Sequence, residues 1–374
     1  MSNFYCAAPW RGLHINPQGS VKTCCAGDPN MLGNLNSQTI EEILHGPVLQ
    51  EIRQTLRQGQ PHEKYCNNCV QAERYGRSER DWHNKLNPGF NAEHATDLEH
   101  FPGLIDIRWS TTCNLSCNYC NEHSSSQWAS LKKMAVPSGT RPYYEQVCEY
   151  LEKHQTHIKK VALIGGEPLL LKENERLLDV IPDGCPIDII TNLSVDLEQN
   201  RIFDKLSRRH NVGWNVSLEN IGDRFEYVRY GGDWSLIERN IARIQKCDFH
   251  RIGAHTLYNI YTATRLSELF EWAKQHRVST QWQSLYHPAH LDPLKLGPEI
   301  RELALIELQT VLKRYDLEPV ERTFLQQAVD QHQTPADSVL IAELATHINE
   351  IESKYHPDTA GRFAELWPEI SKLI

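Results

Sequence analysis

The chain has 374 residues, enough for a large domain or two to three smaller ones. Its 39 Lys+Arg against 48 Asp+Glu leave a formal net charge of −9, which argues against the broad basic surface that general nucleic-acid or anionic-membrane binding needs. Apolar residues make up 40% and charged residues 23%, the balance of a globular protein with an ample core. In chain order, the start (MSNFYCAAPW) lacks the apolar core of a signal peptide, and no later run reaches the ~18 apolar residues of a membrane span. The expected location is therefore cytoplasmic, with no membrane partner. Eleven cysteines in such a chain are the anomaly, because in a reducing compartment clustered thiols serve metal or redox chemistry more often than disulfides.

Residues 1–80 read as a small Cys-bearing module, punctuated by NPQG, GDPN and LGNLN and carrying a helical stretch, TIEEILHGPVLQEIRQTLRQG. LHI and VKT alternate around NPQG as a β-hairpin would. Residues 81–103 are polar and irregular, a linker. From Leu104 short apolar runs alternate with amphipathic segments. The predicted strands are 104–109, 160–165, 186–191, 212–218, 251–258 and 278–285, with helices between them. Such alternation gives parallel strands joined by right-handed crossovers, and six units make a partial (β/α)6 barrel over 104–297 rather than the full eight. The remainder, 298–374, is a helical extension. The fold class is α/β.

Three cysteines follow the first barrel strand as Cys113-Asn-Leu-Ser-Cys117-Asn-Tyr-Cys120, on the side of a barrel where active sites form. Three thiolates suit a [4Fe–4S] cluster with one iron open to a small molecule. A structural zinc wants four ligands, for which His123 is the available fourth. Cys148, Cys185 and Cys247 are scattered and read as buried, inert thiols, although Cys247 as a hydrogen-atom donor is the alternative.

CxxxCxxC at this place, with an aromatic before its last Cys, resembles the signature loop of the radical S-adenosylmethionine (SAM) superfamily. A second match, Gly165-Gly166-Glu167-Pro168, stands at the end of the second strand. The resemblance implies that this segment binds the amino end of SAM, its glycines admitting close backbone approach and Glu167 accepting from the ammonium. It further implies that Asn192, after Thr191 at the third strand's end, and Ser217 and Glu219 at the fourth's contact the cofactor, and that Tyr119 faces the adenine. The implied chemistry is reductive cleavage of SAM to a 5′-deoxyadenosyl radical that abstracts hydrogen from substrate, with a flavodoxin- or ferredoxin-type electron donor as partner.

The N-terminal cysteines form C-x12-G-x4-C from Cys6 through Gly19 to Cys24, then Cys66-x2-Cys69 after 41 residues. This resembles the auxiliary-cluster half of SPASM and twitch domains. It implies a second [4Fe–4S] cluster ligated by Cys6, Cys24, Cys66 and Cys69, with Cys25 the alternative to Cys24. Tyr75 stands where a SPASM domain continues with Cys, so one auxiliary cluster is expected. The family usually carries this module after the barrel, whereas here it comes first. A zinc held by the same four thiolates would instead make a binding module. The associated chemistry is net oxidation of a peptide; oxidation or rearrangement of a small molecule such as an amino sugar or nucleoside is the alternative. Catalytic side chains are not legible. Substrate-facing candidates are the 229–234 segment, whose Arg229 suits a carboxylate or phosphate, and Trp282, Tyr286, His287 and His290.

Overall fold

A computed structural model describes residues 4–73, 78–91, 102–135, 142–334 and 339–374. Tyr75 and residues 92–101 of the expected linker lie outside them.

One nine-stranded sheet organises the chain. Three short strands come from the N-terminal module: β1 (Gly12–Ile15), β2 (Ser20–Lys22) and β3 (Gly33–Asn34). Six follow at the expected places: β4 (Leu104–Ile107), β5 (Lys160–Leu163), β6 (Ile187–Thr191), β7 (Val212–Ser217), β8 (Arg251–Tyr258) and β9 (Ser279–Ser284). These six pair in parallel and in chain order. Alternation along each strand divides the side chains. Ile105, Ile107, Val161, Leu163, Ile187 and Ile189 pack into one core under the surrounding helices, whereas Asp106, Asp188, Asn215 and His255 alternate with core-facing neighbours on the barrel's inner side.

The N-terminal module is not a separate body. β1 joins β4 in parallel, with His14 opposite Asp106 and Ile15 opposite Ile107, and β2 and β3 continue antiparallel beyond it. Gly12 is required at this seam, because a Cβ there would sit 1.8 Å from the Thr23 carbonyl oxygen. NPQG forms the expected turn, with Gly19 at φ +82°.

Two expectations on helices need correction. The Glu79–Leu86 helix runs through the expected module–linker boundary, capped by the Ser78 side chain accepting from Asp81 N. Its polar sequence hides it, since its one buried side chain is His83. The AELWPEISKLI tail is two helices, Arg362–Leu366 and Pro368–Ser371, because Pro368 supplies no N–H to continue the first. A helix not singled out from the sequence, Pro319–Gln333, packs with Pro298–Arg314 against the β8–β9 edge.

Candidate functional site

The 113–120 loop leaves the C-terminal end of β4 and is held from several sides. Cys113 N donates to Ser126 Oγ at 3.0 Å while Ser126 Oγ donates back to Cys113 O at 3.1 Å. Trp128 Nε1 donates to Cys117 O at 2.9 Å. Ser116 N and Asn118 N donate to the Tyr230 and Val228 carbonyls, so the 228–230 segment pairs with the loop backbone. The C-terminal extension covers it as well. His356, fully buried, meets Ser116 O at 3.1 Å through Nε2 and stacks on Tyr230 with ring centroids 3.7 Å apart. Tyr355, beside it, meets the Trp128 ring edge-on at 5.0 Å.

Cys113, Cys117 and Cys120 line a cavity of about 250 Å3 at the strands' C-terminal ends. Gly165, Gly166, Thr191, Asn192, Ser217, Glu219 and Tyr119 share that wall, which gathers most of the predicted cofactor residues in one place. The glycines answer a packing need. A Cβ on Gly166 would lie 2.2 Å from Thr112 O, and Gly165 has φ +151°. Gly166 N and Glu167 N donate to the Ser110 and Thr112 carbonyls at 3.1 and 2.7 Å, clamping GGEP against the start of the cysteine loop.

Glu167 stands elsewhere than its expected role requires. Its fully buried carboxylate accepts from Leu169 N at 3.0 Å, Thr191 Oγ1 at 2.7 Å and Asn192 N at 2.7 Å, and it does not line the cavity. Burial pushes this carboxyl up to about 7 against the pull of those donors. Glu167 thus ties GGEP to the Thr191-Asn192 turn, and Pro168 opens the short helical turn behind it. Asn192 reaches forward instead, its Nδ2 donating to Cys113 Sγ at 3.6 Å and Asn114 Oδ1 at 3.0 Å.

Arg229 is not open to a substrate carboxylate. Its Nε and Nη2 donate to the two oxygens of Glu219 at 2.7 and 2.9 Å, and Nη1 points to Cys117 Sγ at 3.8 Å. The guanidinium also lies over the Tyr119 ring, 5.4 Å from its centroid. The other substrate candidates do not line this cavity. Trp234 packs on Trp272 at 5.1 Å, Trp282 stacks on Phe270 at 5.2 Å, and His290 faces His347 at 4.7 Å. His123 is turned to solvent, its side chain 77% exposed, so it is no fourth thiol partner. Sequence reasoning missed His255 and Leu257, which line the cavity from β8. Two-residue alternation along RIGAHTLY was the available signal.

Cys6, Cys24, Cys66 and Cys69 surround a second, tighter cavity of about 20 Å3 walled by Phe4, Leu56 and Tyr65. Glu79, Arg80 and His83 of the helix missed at the boundary close it. Cys25 is exposed and faces Glu79 instead. β2 runs antiparallel to β1 and ends at Lys22, so Cys24 falls at the level where β1 and β4 begin. The two thiol sets therefore occupy opposite ends of the barrel.

Burial pushes all seven thiols up, Cys24 to about 12 and Cys66 and Cys120 to about 11, with neighbouring thiols adding to the shift at Cys6, Cys24, Cys66, Cys117 and Cys120. Thiolates here need a cationic centre to hold them. Among the described residues no three His, Cys, Asp or Glu side chains meet closely enough to share a single metal ion. Three thiolates on an open cavity and four around a tight one match, in number, a cluster with one open iron and a cluster fully held by protein.

Comparison with known proteins agrees. The family described as Radical SAM superfamily matches residues 107–273, and that described as Iron-sulfur cluster-binding domain (SPASM) matches residues 6–70. The chain carries a radical SAM domain preceded by an iron–sulfur cluster-binding domain. Its cofactors are accordingly [4Fe–4S] clusters and SAM, and the iron–sulfur module precedes the barrel. Curated relatives include a 7-carboxy-7-deazaguanine synthase of Clostridium acetobutylicum, 35% identical over 88 residues, covering 23% of this chain and 36% of that protein. A GTP 3′,8-cyclase of Clostridium botulinum is 23% identical over 224 residues, covering 58% and 65%. The chain thus spans between about a third and two thirds of these relatives' lengths. Similar solved structures include anSMEcpe with bound AdoMet and a Cp18Cys peptide (18% identity, 56% and 59% coverage, TM-score 0.41) and Streptococcus suis SuiB bound to precursor peptide SuiA (14%, 70% and 63%, 0.43). No described helix is long and apolar enough to cross a membrane.

Proposed function

We propose that this radical SAM enzyme carries out a net oxidative modification of a peptide, with SAM at the three-thiol end of the barrel and an electron-accepting cluster at the four-thiol end. The observation that carries the reading is the placement of the two thiol sets at opposite ends of one sheet, with the barrel's polar inner face between them. When bound, the clusters and SAM supply the hard chemistry: one-electron cleavage to a 5′-deoxyadenosyl radical, removal of a substrate hydrogen atom, and a destination for the electron left behind. The chain's own residues bind and orient. Cys113, Cys117 and Cys120 hold the first cluster, and Cys6, Cys24, Cys66 and Cys69 the second. Gly165, Gly166, Asn192, Ser217, Glu219 and Tyr119 form the wall against which SAM lies, while Glu167 and Pro168 keep that wall in shape from behind.

A peptide is the substrate this reading proposes; among the described residues β3 and β9 do not pair, so the sheet does not close on itself. The GTP 3′,8-cyclase relative favours a second reading, a nucleoside-like small molecule. In both, a flavodoxin- or ferredoxin-type protein supplies the electron.

The test is a Cys66→Ala/Cys69→Ala double variant of the anaerobically purified enzyme. It should lose about four of about eight irons, still cleave SAM with dithionite, and fail to form oxidised product. Its folding is compared by circular dichroism first, because a cluster closing this loop also holds the module together. Full product from a well-folded double variant would overturn the oxidative assignment.

A further inference from the structure

A buried ion pair is an expensive way to hold a fold, since apolar replacements of similar volume often serve as well. The Arg229–Glu219 pair is buried on both sides, at 5% and 1% exposure, yet it stands on the wall of the cofactor cavity. Its orientation is the informative part. Glu219 takes Nε and Nη2 in a bidentate grip, which fixes the planar fork and aims the third nitrogen, Nη1, at Cys117 Sγ 3.8 Å away. Among the described residues Cys117 is the one thiol of the three given a charged donor; Cys113 has the Asn192 amide at 3.6 Å, and Cys120 has the backbone of Asn121.

We infer that Arg229 is a positioning residue that acts through Cys117 to set the reduction potential of the SAM-binding cluster. The inference rests on the proposed ligation by Cys113, Cys117 and Cys120. Adding an electron to a thiolate-ligated cluster increases negative charge beside the buried Cys117. A permanently charged guanidinium beside one sulfur stabilises the reduced form more than the oxidised one, as hydrogen bonds to cluster sulfurs do generally. Glu219 opposes this from farther away, on the far side of the guanidinium, so the pair presents its positive end to the thiolate. The two members therefore act with opposite signs.

The test is a potentiometric titration of the full-length, anaerobically loaded enzyme, followed by EPR of the signal that changes when SAM is added. Glu219→Gln keeps Arg229 charged and still offers it a carbonyl, so the potential should rise and the reduced fraction at a fixed potential should grow several-fold. Arg229→Gln/Glu219→Gln removes both charges and should lower the reduced-to-oxidised ratio about tenfold, ~59 mV for one electron. The second cluster's signal should not move in either variant. Unchanged potentials, or shifts of the same sign in both variants at wild-type iron content, would overturn the inference. If the double variant fails to load iron, the upward shift in Glu219→Gln carries the test alone, and its absence overturns the inference. A wild-type protein with no SAM-responsive iron–sulfur signal would instead overturn the ligation on which the inference rests.

Discussion

The four-thiol and three-thiol sites are built from opposite materials. The first draws its ligands from segments around a short hairpin and two helices within residues 6–69, is walled by apolar side chains, and encloses about 20 Å3. The second has its thiols within eight consecutive residues, but everything around them comes from distant strand ends: Gly165 after β5, Asn192 after β6, Ser217 and Glu219 at β7, His255 on β8. It opens on about 250 Å3. A site that keeps every ligand position for the protein can be closed early and locally. A site open to a small molecule needs the whole barrel to shape the space around it, which is why the sequence marks its thiols tightly and the surrounding wall loosely.

That contrast can be broken at its strongest point. Cys113→Ala, Cys117→Ala or Cys120→Ala should each abolish SAM cleavage and remove about half of the iron, leaving the N-terminal iron in place. Dithionite-dependent formation of 5′-deoxyadenosine by any one of them would show that the loop does not hold the radical-generating cluster. A subtler break concerns the wall. Glu167→Ala leaves two N–H groups and one hydroxyl without their acceptor, so stability should fall by on the order of 3 kcal/mol in denaturant unfolding. SAM affinity should fall roughly tenfold, about 1.4 kcal/mol, with iron content near normal. Unchanged stability and unchanged SAM affinity together would sink the role given to Glu167. The smallest expected effect sharpens the N-terminal side. Cys25→Ala should be nearly silent in iron content, because Cys25 lies outside the four-thiol cavity, while Cys24→Ala should lose the N-terminal iron. The reverse pattern in the iron assay would exchange their roles.

What the sequence disclosed follows the same divide. All six barrel strands and both thiol sets were legible, because each is a local pattern of two-residue alternation or fixed spacing. The β1–β4 pairing was not, since Leu13 and Ile105 carry no mark of each other across ninety-odd residues of chain. Glu167 was misassigned for a related reason. A carboxylate beside two glycines reads as a ligand contact, and only the fold shows Thr191 and Asn192 taking up its oxygens. Arg229 read as a free cation because its partners, Glu219 and Cys117, sit ten and 112 residues away. The helix Glu79–Leu86 escaped because a single buried histidine is too little apolar pattern to betray it.

The contact between His356 and Ser116 spans 240 residues of chain. During synthesis at about 5–20 residues per second, some ten to fifty seconds pass between the appearance of the cysteine loop and the arrival of the segment that covers it. For that interval the 113–120 loop is without the His356 contact and the Tyr355 ring over Trp128, while all four N-terminal thiols have already emerged. The four N-terminal thiols are thus all on the nascent chain while the 113–120 loop still lacks the contacts that cover it.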